Sequence, residues 1–276
     1  MAVSLHRAPV TKQLALVVAI IALYAAAVSM VGLAMDVAIH VDPDVHSFVG
    51  FVLGLLLVFR TNTAYERWWE ARKLWGQLVS DSRNVCVKVT RLMNVPRSDG
   101  VAIGQLLLEF AYSLRNSLDD SPRDVVAGCL TIPVNRCPAD VVARLYETVN
   151  GIARAGHVDG FEIAALDVHL RSLLDIVGGC ERIRRTRLSI SYRAFVRQCI
   201  FLYLVALPWC LVESYGIWTV PATIVVSYFM IGIETIAETV EQPFGTSADH
   251  IPLDEICDRL AASIGDILEH RGRMAA

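Results

Sequence analysis

The sequence predicts an all-α integral membrane protein: four transmembrane helices and a helical region outside the bilayer. Three observations carry this expectation. Of the 276 residues 54% are hydrophobic and only 19% charged, against about 45–50% and about 25% in soluble domains. The apolar excess is gathered into a few long runs rather than spread along the chain. Between the runs, apolar residues recur at helical spacing and are interrupted by proline and glycine. A formal net charge of -3 supplies no strongly basic face, so nucleic acid is not an expected partner.

Leu14 to Ala34 carries no charged residue. About 20 helical residues cross the roughly 30 Å hydrocarbon core, so residues 14–34 form the first span. Arg7 and Lys12 precede it as in a signal peptide, but the run is too long for a typical apolar core, and no clear small-x-small site stands before Asp36. Residues 36–46 read as a short, mildly acidic turn around Pro43. The second apolar run, 47–59, passes into a charged stretch without proline or glycine until Gly76. That predicts one long helix leaving the membrane, with Trp68, Trp69 and Trp75 at the interface or at the start of a soluble bundle.

Residues 60–198 hold no further long apolar run. Helices are expected over 106–118, 140–155 and 161–176, separated by Pro122, Pro133, Pro138, Gly156 and Gly160. Two more spans follow at 199–212 and 217–233, broken near Pro208, Glu213 and Gly216. The tail 234–276 is polar and helical again from Leu253. We read 1–276 as a single domain. Arg7, Lys12 and the basic segments 60–97 and 181–197 fall on one side, while the linkers 36–46 and 213–216 contain no Lys or Arg. The positive-inside rule then places both termini and the central helical region in the cytoplasm, with the spans in a bacterial inner membrane.

Two stripes lie on the second span. Gly50 and Gly54 form a G-x-x-x-G pair, a spacing that lets helices approach closely in lipid. Phe51, Leu55 and Phe59 recur at i, i+4 and i+8 as one bulky stripe. Around an axis of several copies the stripe would form apolar rings that gate by dewetting. Periodicity alone favours contact with lipid or with another helix. Asn62, Thr63 and Glu66 continue the same face, as a polar vestibule wall or as an ordinary solvated surface.

Glu234, Glu238 and Glu241 form an acidic stripe past the last span, and pairing with the basic segments 60–97 and 181–187 is expected rather than a cation pathway. Glu213 reads as an exposed loop carboxylate. His40, Asp42, Asp44 and His46 read as a polar turn, not a metal site, because nothing fixes a ligand geometry around Pro43. Arg182, Arg184, Arg185 and Arg187 read as cytoplasmic anchors of the following span. The seven cysteines form no C-x-x-C pair, so we expect reduced, mostly buried thiols and neither a disulfide nor a zinc site. Nucleotide-loop, zinc-protease and nucleophile-elbow motifs are missing, so no enzyme, cofactor or metal is expected.

Three stretches carry a resemblance: Arg60-Thr-Asn-Thr-Ala-Tyr-Glu-Arg-Trp-Trp-Glu-Ala-Arg-Lys-Leu-Trp-Gly, Cys180-Glu-Arg-Ile-Arg-Arg-Thr, and Glu241-Gln-Pro-Phe-Gly-Thr with Pro252-Leu-Asp-Glu-Ile-Cys257. In order and spacing the chain resembles the bestrophins, specifically their prokaryotic branch, over nearly its whole length. The resemblance implies a homopentameric channel whose pore is lined by the second span. By motif position it maps the hydrophobic neck onto Phe51, Leu55 and Phe59, reversing the preference left by periodicity. It implies a second, cytosolic constriction after the Cys180 motif, for which Leu188 is our choice. Animal members conduct anions under calcium held by an acidic cluster after Pro-Phe-Gly. Here that stretch, Thr246-Ser-Ala-Asp-His, has one carboxylate, so no calcium dependence is expected. Prokaryotic members more resemble cation channels, which implies monovalent cations here with anion conduction as the variant. The rival expectations are a non-conducting membrane scaffold and, behind it, a lipid-modifying enzyme.

Overall fold

The computed structural model describes residues 9–35, 43–119, 125–127, 130–132, 136–186, 189–245 and 250–274. The chain divides into two compact units, each built from two separated stretches: 1–68 with 187–242, and 69–186 with 243–276. The sequence reading treated these as one domain.

The first unit contains α1 (Pro9–Met35), the N-terminal part of α2 (Pro43–Val87), α6 (Ile190–Tyr215) and α7 (Thr219–Glu241). Helix is the form these runs must take in lipid, where each backbone polar group needs an internal partner. Stretches long and apolar enough to cross a membrane are Leu14–Gly32, Pro43–Leu92 and Ile190–Glu241, the last comprising α6, a 3-10 turn at Gly216–Trp218, and α7. Helix α1 packs on α6 and α7, and α6 packs on α7. Leu53 and Leu57 of α2 are buried with Val196, Ile200, Leu204 and Leu207 of α6.

Several boundaries differ from the sequence reading. Helix α2 begins at Pro43, because proline's missing N–H costs nothing in a first turn. His46 therefore lies in that helix rather than in a polar turn, buried and stacked on Tyr203 with ring centroids 4.2 Å apart. Helix α6 begins at Ile190 and continues through Pro208, so Glu213 sits in its last turn instead of a break. Pro208 removes an N–H from the α6 ladder. Nearby, the Tyr24 hydroxyl donates to the Val205 carbonyl at 3.0 Å and receives the Trp209 indole N–H at 2.9 Å. Gly216 ends α6 with φ of 53°, a backbone state that glycine adopts without penalty. On α7, Thr219, Thr223 and Ser227 form a buried stripe of small residues suited to close helix contact.

The second unit comprises the rest of α2, a π turn at Lys88–Leu92, α3 (Arg97–Leu118), α4 (Pro138–Arg154), α5 (Gly160–Arg185) and α8 (Leu253–Met274). Helix α4 is amphipathic, burying Val141, Val142, Leu145, Val149 and Ile152. Helix α5 opens on a capping box. Asp159 accepts the Glu162 N–H at 2.7 Å, and Glu162 accepts the Asp159 N–H at 2.9 Å. This helix runs on through the arginine-rich motif to Arg185, well past residue 176. A feature absent from the sequence reading is a small antiparallel hairpin, β1 (Val125–Ala127) with β2 (Leu130–Ile132), Val126 facing Thr131. Its β-branched residues suit strands, but three-residue strands are too short to give an alternating pattern.

Candidate pore-lining face and its charged anchor

The face of α2 that holds Phe51, Leu55 and Phe59 is uncovered within one chain: these residues are 71%, 47% and 57% exposed. Leu53 and Leu57, on the other side, are buried against α6. Asn62, Thr63 and Glu66 are exposed as well. At 100° per residue Phe51, Leu55, Phe59, Asn62 and Glu66 fall within an arc of about 80°. Apolar rows thus give way to polar and acidic ones along a single strip. The Thr63 hydroxyl donates back to the Phe59 carbonyl at 3.0 Å.

The two glycines of the neighbouring stripe have different surroundings. A Cβ on Gly50 would lie 2.7 Å from the Tyr203 hydroxyl oxygen, so glycine permits that approach of α6. Around Gly54 there is no neighbour within 4 Å. Leu188 and residues 246–249 lie outside the described residues.

At the residue after the stripe α2 is tied down by charge. Arg60 is fully buried, with Nη1 2.8 Å from Glu241 Oε2 and Nε 3.4 Å from Glu234 Oε2. Arg197 reaches Glu238 Oε2 at 2.5 Å and lies 3.6 Å from Glu234 Oε1. Arg67 donates from Nε to the Glu241 carbonyl at 3.3 Å. The acidic stripe therefore serves for ion pairing. Its partners are Arg60 from the segment 60–97 and Arg197, which lies ten residues beyond the expected 181–187. Among the described residues, Arg182 of that segment pairs instead with Glu70. A buried pair is weakly stabilising as a unit but costly to break, about 3–5 kcal/mol when one partner is removed. The anchor holds the lower end of the strip at one rotation about the helix axis. Sequence reasoning included Arg60 in the basic segment 60–97 expected to pair with this stripe, and as the start of a motif, without singling it out. Its signal was a lone cation closing an apolar run, with its partners 174 and 181 residues away.

The second unit holds a polar cluster that the sequence reading did not identify. His169 Nδ1 is 2.8 Å from Asp81 Oδ1, and its Nε2 is 2.9 Å from Lys88 Nζ. Ser172 donates to Asp81 Oδ2 at 2.6 Å and accepts from Gln77 at 2.8 Å. The serine proton is directed to a carboxylate that already holds the histidine, which cross-links α2 to α5 and leaves the hydroxyl without a free base. Burial pushes the Cys180 and Cys257 thiols up to about 12. Burial, and then the bond to Asp258, raises the Tyr112 phenol. These groups are held in their protonated, weakly nucleophilic forms.

The family model for Bacterial/Fungal Bestrophin protein matches residues 2–266. A voltage-dependent anion channel-forming protein of Mesorhizobium japonicum is 36% identical over 228 residues, 80% of this chain and 73% of that protein. One from Nostoc sp. is 33% identical over 228 residues, covering 78% and 74%. Crystal structures of a bacterial bestrophin homolog from Klebsiella pneumoniae share the fold. One superposes with a TM-score of 0.82 at 22% identity, covering 91% of this chain and 97% of that chain. Another, a mutant form, reaches 0.85 at 21% identity over 95% and 99%.

Proposed function

We propose that this chain, which belongs to the bacterial and fungal bestrophin family, is the pore-forming subunit of a homopentameric channel that passes monovalent ions. The observation that carries the reading is the uncovered strip from Phe51 to Glu66 on a helix whose other side is packed and ion-paired. Five copies with this strip turned to a common axis make three stacked apolar rings. A narrow apolar ring sheds its water column, and side-chain movement of about one rotamer is enough to wet it. Asn62, Thr63 and Glu66 then line the wider mouth below. Leu188 supplies the second constriction that the resemblance implies. No chemical step on a substrate enters this reading, and no calcium is required.

The bilayer placement follows from charge. Helices α1, α6 and α7 and the first part of α2 are the four spans, with both termini and the second unit in the cytoplasm of a bacterium. For the ion, Glu66 supports monovalent cations: five exposed carboxylates at the pore mouth would concentrate them. A second reading, anion conduction, is favoured by the names of the relatives from Mesorhizobium and Nostoc. Purified protein in a planar bilayer under asymmetric NaCl separates these by the sign of the reversal potential. The triple exchange of Phe51, Leu55 and Phe59 to alanine should raise conductance or leave a steady leak. Unchanged currents from that variant would take the stripe out of the pore. Silence of intact wild-type protein across lipids and pH would favour the scaffold.

A further inference from the structure

Helices α1, α6 and α7 enclose a cavity of about 580 Å³. Ile20 and Ile21 of α1, Phe201 and Val205 of α6, and Ile231 of α7 make its apolar walls, and Arg197, Glu234 and Glu238 lie at its charged end. Ile20 and Phe201 are well exposed, so the walls open sideways. Arg197 stands just before the apolar run 199–212, and Glu234 just after 217–233. The charged end is therefore at headgroup level and the apolar walls at acyl level.

The hydrogen bonds at that end do not close. Arg60 takes Glu241 and one oxygen of Glu234, Arg67 donates to the Glu241 carbonyl, and Arg197 takes Glu238. Glu234 is 5% exposed, and its Oε1 has no hydrogen-bond partner. Arg197 Nε, at 3.6 Å, is too far to donate. That oxygen lacks a donor, the buried Arg60 Nη2 being likewise unpartnered among the described residues, and it stands beside a half-exposed guanidinium able to receive a phosphate.

We propose that this cavity binds a phospholipid with a primary-amine headgroup, phosphatidylethanolamine. Its ammonium donates to Glu234 and Glu238, its phosphate lies on Arg197, and an acyl chain fills the apolar walls. A choline headgroup has no N–H to give, and a glycerol headgroup brings a net negative charge and no ammonium for the carboxylates. The proposal depends on the membrane placement and not on the axial pore.

The test is native mass spectrometry of the delipidated full-length protein titrated separately with phosphatidylethanolamine, phosphatidylcholine and phosphatidylglycerol of identical chains. The ethanolamine lipid should bind about tenfold more tightly than either of the others. Glu238→Gln should bring it to within about threefold of the choline lipid. Val205→Trp, which fills the cavity and leaves the ion pairs alone, should weaken all three. Equal affinities in the wild type, tighter binding of the glycerol lipid, or an undiminished preference in Glu238→Gln would overturn the assignment. So would full binding by Val205→Trp, or cross-linking of a Phe201→Cys variant to a second copy with no lipid retained.

Discussion

The two units of the chain invert each other's chemistry. In the first, the residues turned outward are large and apolar, among them Phe48, Phe51, Phe201, Val225 and Phe229, while fully or nearly buried positions include Arg60, Glu234, Glu241, Thr219, Thr223 and Ser227. In the second, Leu107, Phe110, Leu114, Leu145, Leu166 and Leu170 are inside, and many charges lie at the surface. Where charged groups do enter that interior they are paired, as Glu109 is with Arg136 and Arg144, and Arg115 with Asp119 and Asp254. One polypeptide thus follows two burial rules. On the proposed membrane placement the difference lies in the surrounding solvent: water drives apolar groups inward, whereas lipid exerts no such drive, and helix association there rests on close packing and polar contacts.

The contrast is broken most forcefully at Arg60. Arg60→Ala strands Glu234 and Glu241 inside the first unit and should cost about 3–5 kcal/mol in denaturant unfolding from micelles. A loss below about 1 kcal/mol would mean that water reaches the cluster. A paired exchange sharpens the contrast next. Val225→Arg, in mid-span, should oppose membrane insertion by about 2.5–3.5 kcal/mol, read as the inserted fraction. Phe161→Arg, also outward in the second unit, should alter stability by no more than about 0.5 kcal/mol. Equal penalties would show that both units meet the same solvent. The smallest effect is chemical. Because burial raises Cys180 and Cys257 to about 12, both stay protonated at pH 8, with a thiolate fraction of about one in ten thousand. Maleimide should label the exposed Cys137 in the native protein, and Cys180 and Cys257 only after denaturation. Fast native labelling of either buried thiol would show that the second unit's core opens readily.

Legibility in the sequence followed the same division. The core of α1 was plain because nothing charged interrupts Leu14–Ala34, and the long α2 because nothing breaks it. Helix starts were harder to place. Residues 190–198 belong to α6 but carry Arg193 and Arg197, so hydropathy alone begins the element at Cys199. Pro208 reads as a break, yet the helix continues through it beside the Tyr24–Trp209 hydrogen bonds. The face bearing Phe51, Leu55 and Phe59 could be drawn from periodicity, but whether a strip meets lipid, a helix or a pore is a property of neighbours. The partners of the acidic stripe were half legible: opposite charge was evident, but the choice of Arg60 and Arg197 over Arg182 depends on tertiary placement. The Asp81–His169–Lys88 cluster joins residues more than 80 positions apart and leaves no local pattern.

The Arg60–Glu234 bond joins residues 174 positions apart. At about 5–20 residues per second, a ribosome needs roughly 10–35 s to deliver the second partner after the first. For most of that interval α1 and the start of α2 exist while α6 and α7 are still to be made, so Arg60 must wait in water or among headgroups with its charge unmet. The first unit therefore stays open through most of synthesis although it contains the first residues made, and its assembly awaits the final third of the message.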